Sequence, residues 1–592
     1  MKKIVVFLFL CWGTVSLYAQ GFLKTDGKKI VNDKGENVLL RGMGLGGWML
    51  QEGYMLGINK DGQQYRIRQR VEELIGKEKT AEFYNSWLAN HTTKTDIDSL
   101  KAWGFNSVRL PMHYNLYTLP VEEEKVAGQQ TWIDKGFEMT DALVSWCKAN
   151  GIYLILDLHA APGGQGNDNN ISDRDPSKPS LWDSEANRQK TVALWKKLAE
   201  RYKNETTIIA YDILNEPNWG FEDANDKNGL KEKKNEPLEK LMREITAAIR
   251  EADKNHIIII EGNGWGNNYS GILDDGVWDN NMVLSFHKYW NYNDAGSIGH
   301  ILTMRDQHNI PVWLGETGEN SNTWFTQAIH LLESNNIGWA WWPLKKLGFN
   351  NPLQVNGGND YKKIVDYWNG AAKKPLQVDF EKTLLGFAAN TNIGKNIFHK
   401  DVMDAMMRQP HSDETKPFSK NIIVTDAVIK AVDYDLGKNG IAYYDLDTAN
   451  YRVSGKPGAG NKGSTYRNDG VDIFKEEGTN DVYVGSFETS EWLQYTINVK
   501  KAGTYHLQLL VSATKPGGQI AVSLKEEQGN YHSIVSIPVT GAETKWEYVL
   551  VQNLTLEKGS HKIKLVAESG GFNLKEIKFN QGNTFKVKKP AY

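Results

Sequence analysis

Eight short, nearly unbroken apolar runs punctuate the first 345 residues: VLLRGM from Val38, NSVRLP from Asn106, YLILDLH from Tyr153, IIAYDILNE from Ile208, IIIIEG from Ile257, MVLSFH from Met282, VWLGE from Val312 and IGWAWW from Ile337. A strand with one wet face alternates apolar and polar residues, so continuous runs of this length belong to strands covered on both faces. Between them lie segments with apolar residues at helical spacing, among them Thr95 to Trp103, Glu185 to Tyr202 and Leu238 to Ala252. Strand, helix, strand, eight times over in a span near the usual ~250 residues plus insertions, predicts an α/β fold, a (β/α)8 TIM barrel, over residues 20–407. A doubly wound open sheet is the competing arrangement.

The runs do not end as packing alone would end them. Arg109 lies in the second, His159 ends the third, Asn215 and Glu216 the fourth, His287 and Tyr289 follow the sixth, Glu316 ends the seventh and Trp342 the eighth. A barrel of this kind places its active site at the C-terminal ends of its strands, so these side chains are expected around one mouth. The fourth run, YDILNEPN at residues 211–218, poses the question most sharply. A strand that only had to stop would use Gly or Asn-Gly; this one stops on an amide and a carboxylate.

Hydrolysis of a glycosidic bond through a covalent intermediate needs two carboxyl groups ~5–5.5 Å apart, one exchanging a proton and the other attacking the anomeric carbon. Glu216 and Glu316, on strands four and seven, form such a pair, and Asn215 would hydrogen-bond the sugar 2-hydroxyl. Glu52, Glu261 and Glu319 are the competing carboxylates; Glu261, without a partner amide, reads as a hydrogen-bonding scaffold. Composition agrees with a sugar role. The 20 Trp and 25 Tyr among 592 residues supply flat faces with polar edges, and a net charge of −3 offers no field for nucleic acid or an anionic membrane. No nucleic-acid motif is present.

Taken in order, VRLP, DLHAAPGG, ILNEP, SFHKYW, LGETGE and WWPLK resemble glycoside hydrolase family 5, the retaining cellulase-type barrels, over about residues 21–400. The resemblance implies Glu216 as acid/base and Glu316 as nucleophile, with Arg109, His159, Asn215, His287, Tyr289 and Trp342 around the first bound sugar. It further implies that Arg109 and Tyr289 hydrogen-bond the nucleophile and that Trp342 is the floor under the ring. The loop at residues 157–169, DLHAAPGGQGNDN, is similar to that of exo-1,3-β-glucosidases of the family. A β-glucan substrate is expected, with linkage open and no cofactor or metal. A retaining hydrolase of another β-glycan such as mannan is an alternative, as is a non-catalytic glycan-binding protein, which the presence of both glutamates argues against. Trp48, Trp182, Trp219, Trp265 and Trp290 are loop aromatics available as further subsites.

Residues 408–423, beginning RQPHSDETKPFSK, read as a linker, and residues 424–580, with short alternating segments between Gly, Asn and Lys turns, as an all-β sandwich. TYRNDGVDI, VGSFETSEWLQYTINV, AGTYHLQLLVSA and GGFNLKEIKF are similar to family 6 and family 35 carbohydrate-binding modules. Asn573 is the retained candidate for sugar contact there. Ser486 and Glu543 stand where that family has aromatics, and Lys430 and Val432 where it has calcium-holding acids. Residues 581–592 read as a tail. At the other end, Lys2, Lys3 and the apolar run to Ala19 read as a signal peptide over residues 1–19, which implies a secreted, periplasmic or cell-surface protein without a membrane span once it is removed; a monomer is expected. Its removal would leave Cys147 alone, with no intrachain disulfide possible.

Overall fold

The computed structural model describes residues 21–223, 225–448, 460–526 and 529–581, so the expected leader and all of the expected tail except Gln581 lie outside the described residues. The eight runs form eight parallel strands: β1 (Arg41–Gly44), β2 (Ser107–His113), β3 (Tyr153–Ala160), β4 (Ile208–Asp212), β5 (Ile257–Glu261), β6 (Met282–Lys288), β7 (Val312–Gly318) and β8 (Gly338–Trp342). They close on themselves, β8 pairing β1 through Trp339 opposite Arg41. Closure excludes the open sheet. Gly42, Gly44 and Gly47 do have the G-x-G-x-x-G spacing of a dinucleotide-binding turn, but the chain after β1 runs into a short 3-10 turn at Gly53–Leu56 and no α-helix opens on them.

Helices α1 (Gln64–His91), α2 (Lys94–Trp103), α3 (Asp134–Asn150), α4 (Glu185–Tyr202), α5 (Glu236–Ala252), α6 (Gly299–His308) and α7 (Asn322–Ser334) separate the strands. Each helix buries one stripe. In α5 the buried set includes Leu238, Leu241, Met242, Ile245 and Ile249, the i, i+3, i+4 spacing of one face, and Pro237 sits in its first turn, where its missing N–H costs nothing. A capping box between Thr93 and Asp96 starts α2, and the Ser184 hydroxyl accepts the Asn187 N–H at the start of α4.

Period-2 geometry divides the barrel interior in two. Residues near the strand starts, Ile155, Ile257, Ile259, Val283, Trp313 and Ala340, make an apolar plug. Two residues further along the same faces stand Asp157, Glu261 and Ser285, and beyond them His159, His287 and Trp342. The plug seals one end; the polar side chains collect at the other. Glu316 does not follow this alternation, because the register between β6 and β7 slips by one residue, Phe286 facing Leu314 and His287 facing Glu316. That extra residue turns Glu316 toward the inside.

Three more helices, α8 (Gly358–Trp368), α9 (Phe380–Asn390) and α10 (Lys400–Met407), follow the barrel. The expected linker is not a loose tether: it holds a 3-10 turn, Gln409–His411, whose Gln409 and Pro410 are buried. The C-terminal region forms two mainly antiparallel sheets. One is built on Trp492–Val499, Gly559–Ser569 and Gln519–Glu526, the other on Val482–Phe487, Phe572–Asn580 and Gly503–Ser512. Leu493, Tyr495 and Leu565 from the first meet Leu507, Leu509 and Phe579 from the second in one core. Val432 belongs to that core, and Lys430 is exposed opposite Glu576. Among the described residues no helix is long and apolar enough to cross a membrane. Cys147 is a buried free thiol.

A buried ion pair joins the end of the barrel to its helices. Lys345, just after β8, lies 2.6 Å from Asp96 of α2 and donates to the carbonyls of His91 and Thr391. Removing one partner leaves a charge without compensation, whereas removing both does not. Lys345→Met is therefore expected to cost about 3–5 kcal/mol, and the double variant Lys345→Met, Asp96→Asn to recover most of that loss. Urea midpoints of the two proteins are the measurement, and a single variant as stable as the double would contradict the assignment.

Candidate active site

At the mouth of the barrel the residues marked by the sequence converge on Arg109. Its guanidinium, fully buried, donates to Glu316 at 2.5 Å, to Asp212 at 2.9 Å, to Asn215 at 2.8 Å and to Glu261 at 3.0 Å, and lies 3.2 Å from Asp157. The Tyr289 hydroxyl donates to the other oxygen of Glu316 at 3.0 Å. Both side chains expected beside Glu316 are therefore in contact with it. His159 contacts Asp157 at 2.7 Å through Nδ1 and the Asn215 amide at 3.3 Å through Nε2.

Glu216 occupies a different environment. Its backbone is left-handed, φ 42°, an unfavourable region for a side chain of this size, and its N–H donates to Glu261 at 2.7 Å. Its carboxylate meets His287 Nδ1 at 2.6 Å, and His287 Nε2 lies 3.1 Å from Glu261. Glu261 is thus the scaffold expected of it, bonded at once to Arg109, His287 and the Glu216 backbone. Gly315 makes room for this packing: a Cβ there would come within 2.3 Å of the Ser285 hydroxyl and 3.0 Å of His287 Nε2.

The electrostatics separate the two glutamates from their support. Burial raises the Glu216 carboxyl above its ordinary value, His287 opposes that rise, and the negative charges of Glu316 and Glu261 add to it. Glu261 goes the other way, to about 2, because burial is outweighed by His287, Arg109 and the Glu216 N–H. Burial also disfavours the charged form of His287, yet Glu261, Glu316 and Glu216 hold it well above its ordinary value. Ligand atoms of Glu216, His287 and Glu316 all lie within 4.8 Å of one another, the one such grouping among the described residues. A metal there would need neutral imidazole, and three carboxylates favour imidazolium.

Trp342 is 3% exposed, with its ring stacked on His159 at 5.0 Å and its Nε1 donating to the Tyr54 hydroxyl at 3.0 Å. Gly46 explains how it fits, since a Cβ at that position would lie 2.6 Å from the ring. Of the loop tryptophans, Trp48 is 3% exposed and spends its N–H on the Leu88 carbonyl, so it is core and no cleft aromatic. Trp182 bonds the Gln165 carbonyl, Trp219 lies under Arg174, and Trp265 is partly buried at φ 59°. Trp290, 53% exposed, and Tyr292, 51%, stand open beside Tyr289.

Four contributors had not been singled out from the sequence. Asp157 and Asp212 are buried partners of Arg109; the signal for them was an acid inside an otherwise apolar strand, on the same face as His159 in the first case. Gln165 donates to the carbonyls of His159 and Asn215 at 2.7 and 2.8 Å, tying the ends of β3 and β4. Tyr54 had no signal beyond its place in a loop. Glu52, a competing carboxylate in the sequence, proves to be part of the mouth: burial, then the fields of Glu316, Glu216, Glu319 and Asp168, raise it well above its ordinary value. Glu319 is engaged with Lys346 at 2.6 Å.

In the C-terminal domain the structure places Asn573 as a strut. Its oxygen accepts the Ser486 N–H at 3.0 Å, and its amide donates to the Ser512 hydroxyl at 3.2 Å and the Glu543 carbonyl at 3.1 Å.

The closed parallel barrel holds paired carboxyls at its C-terminal mouth, where a barrel of this kind places its active site, and comparison with known proteins identifies an O-glycosyl hydrolase. Residues 63–348 match the cellulase family, glycosyl hydrolase family 5, and residues 463–581 match carbohydrate binding module family 6. The chain carries a family 5 glycoside hydrolase barrel followed by a family 6 module. Among curated proteins it is 24% identical over 458 residues to a beta-xylosidase of Phanerodontia chrysosporium, covering 69% of this chain and 90% of that one. It is 29% identical over 186 residues to a probable glucan 1,3-beta-glucosidase A of Aspergillus clavatus, 31% of this chain and 42% of that one. It is 30% identical over 202 residues to endoglucanase C of Acetivibrio thermocellus, 33% of this chain and 50% of that one.

Because the oxygen and the amide nitrogen of Asn573 make three hydrogen bonds inside the domain, Asn573→Ala is expected to lower stability by about 1–3 kcal/mol through the groups it strands. Retention on affinity gels containing soluble β-glucan is expected to stay unchanged. Weakened retention with unchanged melting temperature would make Asn573 a sugar contact instead.

Proposed function

We propose that this protein is a retaining hydrolase of β-glucan, with Glu316 as nucleophile and Glu216 as acid/base. The observation that carries the reading is the carboxylate pair: an oxygen of Glu216 and one of Glu316 lie within 4.8 Å of each other, well inside the ~6.5–9.5 Å separation that leaves room for an intervening water and close to the ~5–5.5 Å that suits direct attack. The environments suit the two roles. Arg109 and Tyr289 donate to the two oxygens of Glu316, which orients the carboxylate for attack. Glu216, raised by burial, retains a proton for the leaving oxygen and then takes one from water. Imidazolium at His287, bonded to Glu216, can stabilise the carboxylate left after that proton departs.

Asn215, fixed through Arg109 and His159, would meet the sugar 2-hydroxyl, and Glu52, whose carboxyl burial raises well above its ordinary value, adds a polar group at the same mouth. Glucan as substrate is supported by the glucan 1,3-beta-glucosidase and endoglucanase similarities. The longer match to a beta-xylosidase favours a second reading, a retaining β-xylosidase, with the same residues in the same roles. Product sizing on laminarin, lichenan, carboxymethyl cellulose, glucomannan and xylo-oligosaccharides separates these. Export, resting on the Lys2, Lys3 and apolar pattern, belongs to the same proposal.

The roles are tested by azide. Glu316→Gly cannot form the glycosyl-enzyme, so azide in the vacated space attacks directly and the expected product is the inverted α-glycosyl azide. Glu216→Ala still forms the intermediate from a dinitrophenyl glycoside, then stalls without a base; azide relieves the stall and the expected product is the retained β-glycosyl azide. The same anomer from both variants, or full activity of Glu216→Ala on natural polysaccharide, would sink the assignment.

A further inference from the structure

We propose that Asn468, in the C-terminal domain, is a positioning residue for Glu316, so that this domain braces the active site in addition to any part it has in holding glycan. The inference rests on Glu316 as nucleophile. The chain leaves Glu316 through Gly318 at φ 136° and Glu319 at φ 52°, then enters α7 behind Ser321, whose hydroxyl accepts the Trp324 N–H. A left-handed conformation at a residue with a long side chain is unfavourable by itself and persists where surrounding contacts fix it. Glu319 itself holds Lys346 of the barrel, and the residues that follow it, Asn320 and Asn322, are held from the other domain.

Asn468 is 1% exposed and faces the residues just beyond Glu319. Its amide donates to the Asn320 carbonyl at 2.8 Å and to the Asn322 side-chain oxygen at 3.2 Å, and its own carbonyl accepts the Asn322 N–H at 2.9 Å. Its N–H goes to Asp401 of α10 at 2.9 Å, and Asn322 reaches both Asp401, at 2.8 Å, and Asp469, at 3.0 Å. The loop that carries Asn468 is anchored in its own domain. Arg467 is bonded to Asp469 at 2.9 Å and to the Tyr434 carbonyl, and its guanidinium lies 3.6 Å from the Tyr434 ring centre.

The seam is therefore polar, buried and directional. Asn468 Oδ1 and Asn320 Nδ2 are buried without a hydrogen-bond partner among the described residues. An apolar contact would hold two domains together without stranding those groups, whereas hydrogen bonds to the Asn320 carbonyl and the Asn322 N–H fix where the backbone after Glu316 must lie. Three residues separate Glu316 from Asn320, too short a stretch, with its turns set, to absorb a displacement.

Full-length Asn468→Ala is the test, beside Leu507→Ala, a cavity in the core of the same domain on the strand that pairs Phe579. Hydrogen exchange of the amides of residues 316–322 is expected to quicken about tenfold or more in Asn468→Ala and to stay unchanged in Leu507→Ala at equal native fraction. On a dinitrophenyl β-glucoside, kcat is expected to fall about 10–100-fold in Asn468→Ala with KM near that of the parent. Asn468→Ser, which like the alanine variant keeps the backbone bonds and loses the side-chain amide's bonds to Asn320 and Asn322, but leaves a small polar group in the buried seam, carries the same expectation if the alanine variant does not fold. Unchanged exchange and kcat per folded molecule in Asn468→Ala, or equal losses in both variants, would overturn the proposal. The exchange result stands apart from the choice of nucleophile, so failure of that choice would appear in the azide products alone.

Discussion

Arg109 is the charge around which the mouth is organised. A guanidinium buried without partners would carry a desolvation cost of several kcal/mol or more, and this one is compatible with a folded barrel because carboxylates on β3, β4, β5 and β7 surround it. The dependence is mutual. Burial raises the Asp212 carboxyl well above its ordinary value, and the Arg109 guanidinium opposes that rise. Lysine would not substitute, since only a planar fork with five N–H groups reaches four strands at once. Because the partners come from four strands, the geometry of the site and the closure of the barrel are one constraint.

Departures from regular strand geometry then decide what each glutamate does. Glu316 faces inward only because β7 carries an extra residue against β6, and Glu216 reaches His287 only from a left-handed backbone beyond the end of β4. Both are local costs held by many contacts: Arg109 and Tyr289 at one, Glu261 and His287 at the other. The result is two carboxyl groups in one cavity with different neighbours, one beside a permanent cation and one beside a histidine. Environment, and not residue type, distinguishes them.

The C-terminal domain extends the same theme. Its family resemblance suggests an appendage on a linker, yet the linker is packed and the contact with the barrel runs through buried Asn468, Asp469 and Arg467 to the helix that follows Glu316. Asn573, the one side chain retained from the family pattern, is occupied inside the domain.

Continuous apolar runs in eight strands made the barrel legible, because strands covered on both faces admit no other composition. The polar residues ending those runs made the mouth legible as well, since a charged side chain at a buried strand tip has no role in packing. Glu216, Glu316, Arg109, His159, Asn215, His287 and Tyr289 all lie there. What the sequence could not supply is anything that depends on which residues become neighbours across the closed barrel. Alternation alone would point Glu316 outward; a bulge set by pairing with β6 points it in. Trp48 and Trp290 look alike in sequence, and only tertiary packing makes one core and the other open rim. Asp157 and Asp212 acquire their meaning from Arg109, and Gln165 from Asn215, residues distant in the chain whose approach is fixed by closure of the sheet. Local pattern fixes what a segment is; charge, strain and burial, which decide what it does, exist only between segments.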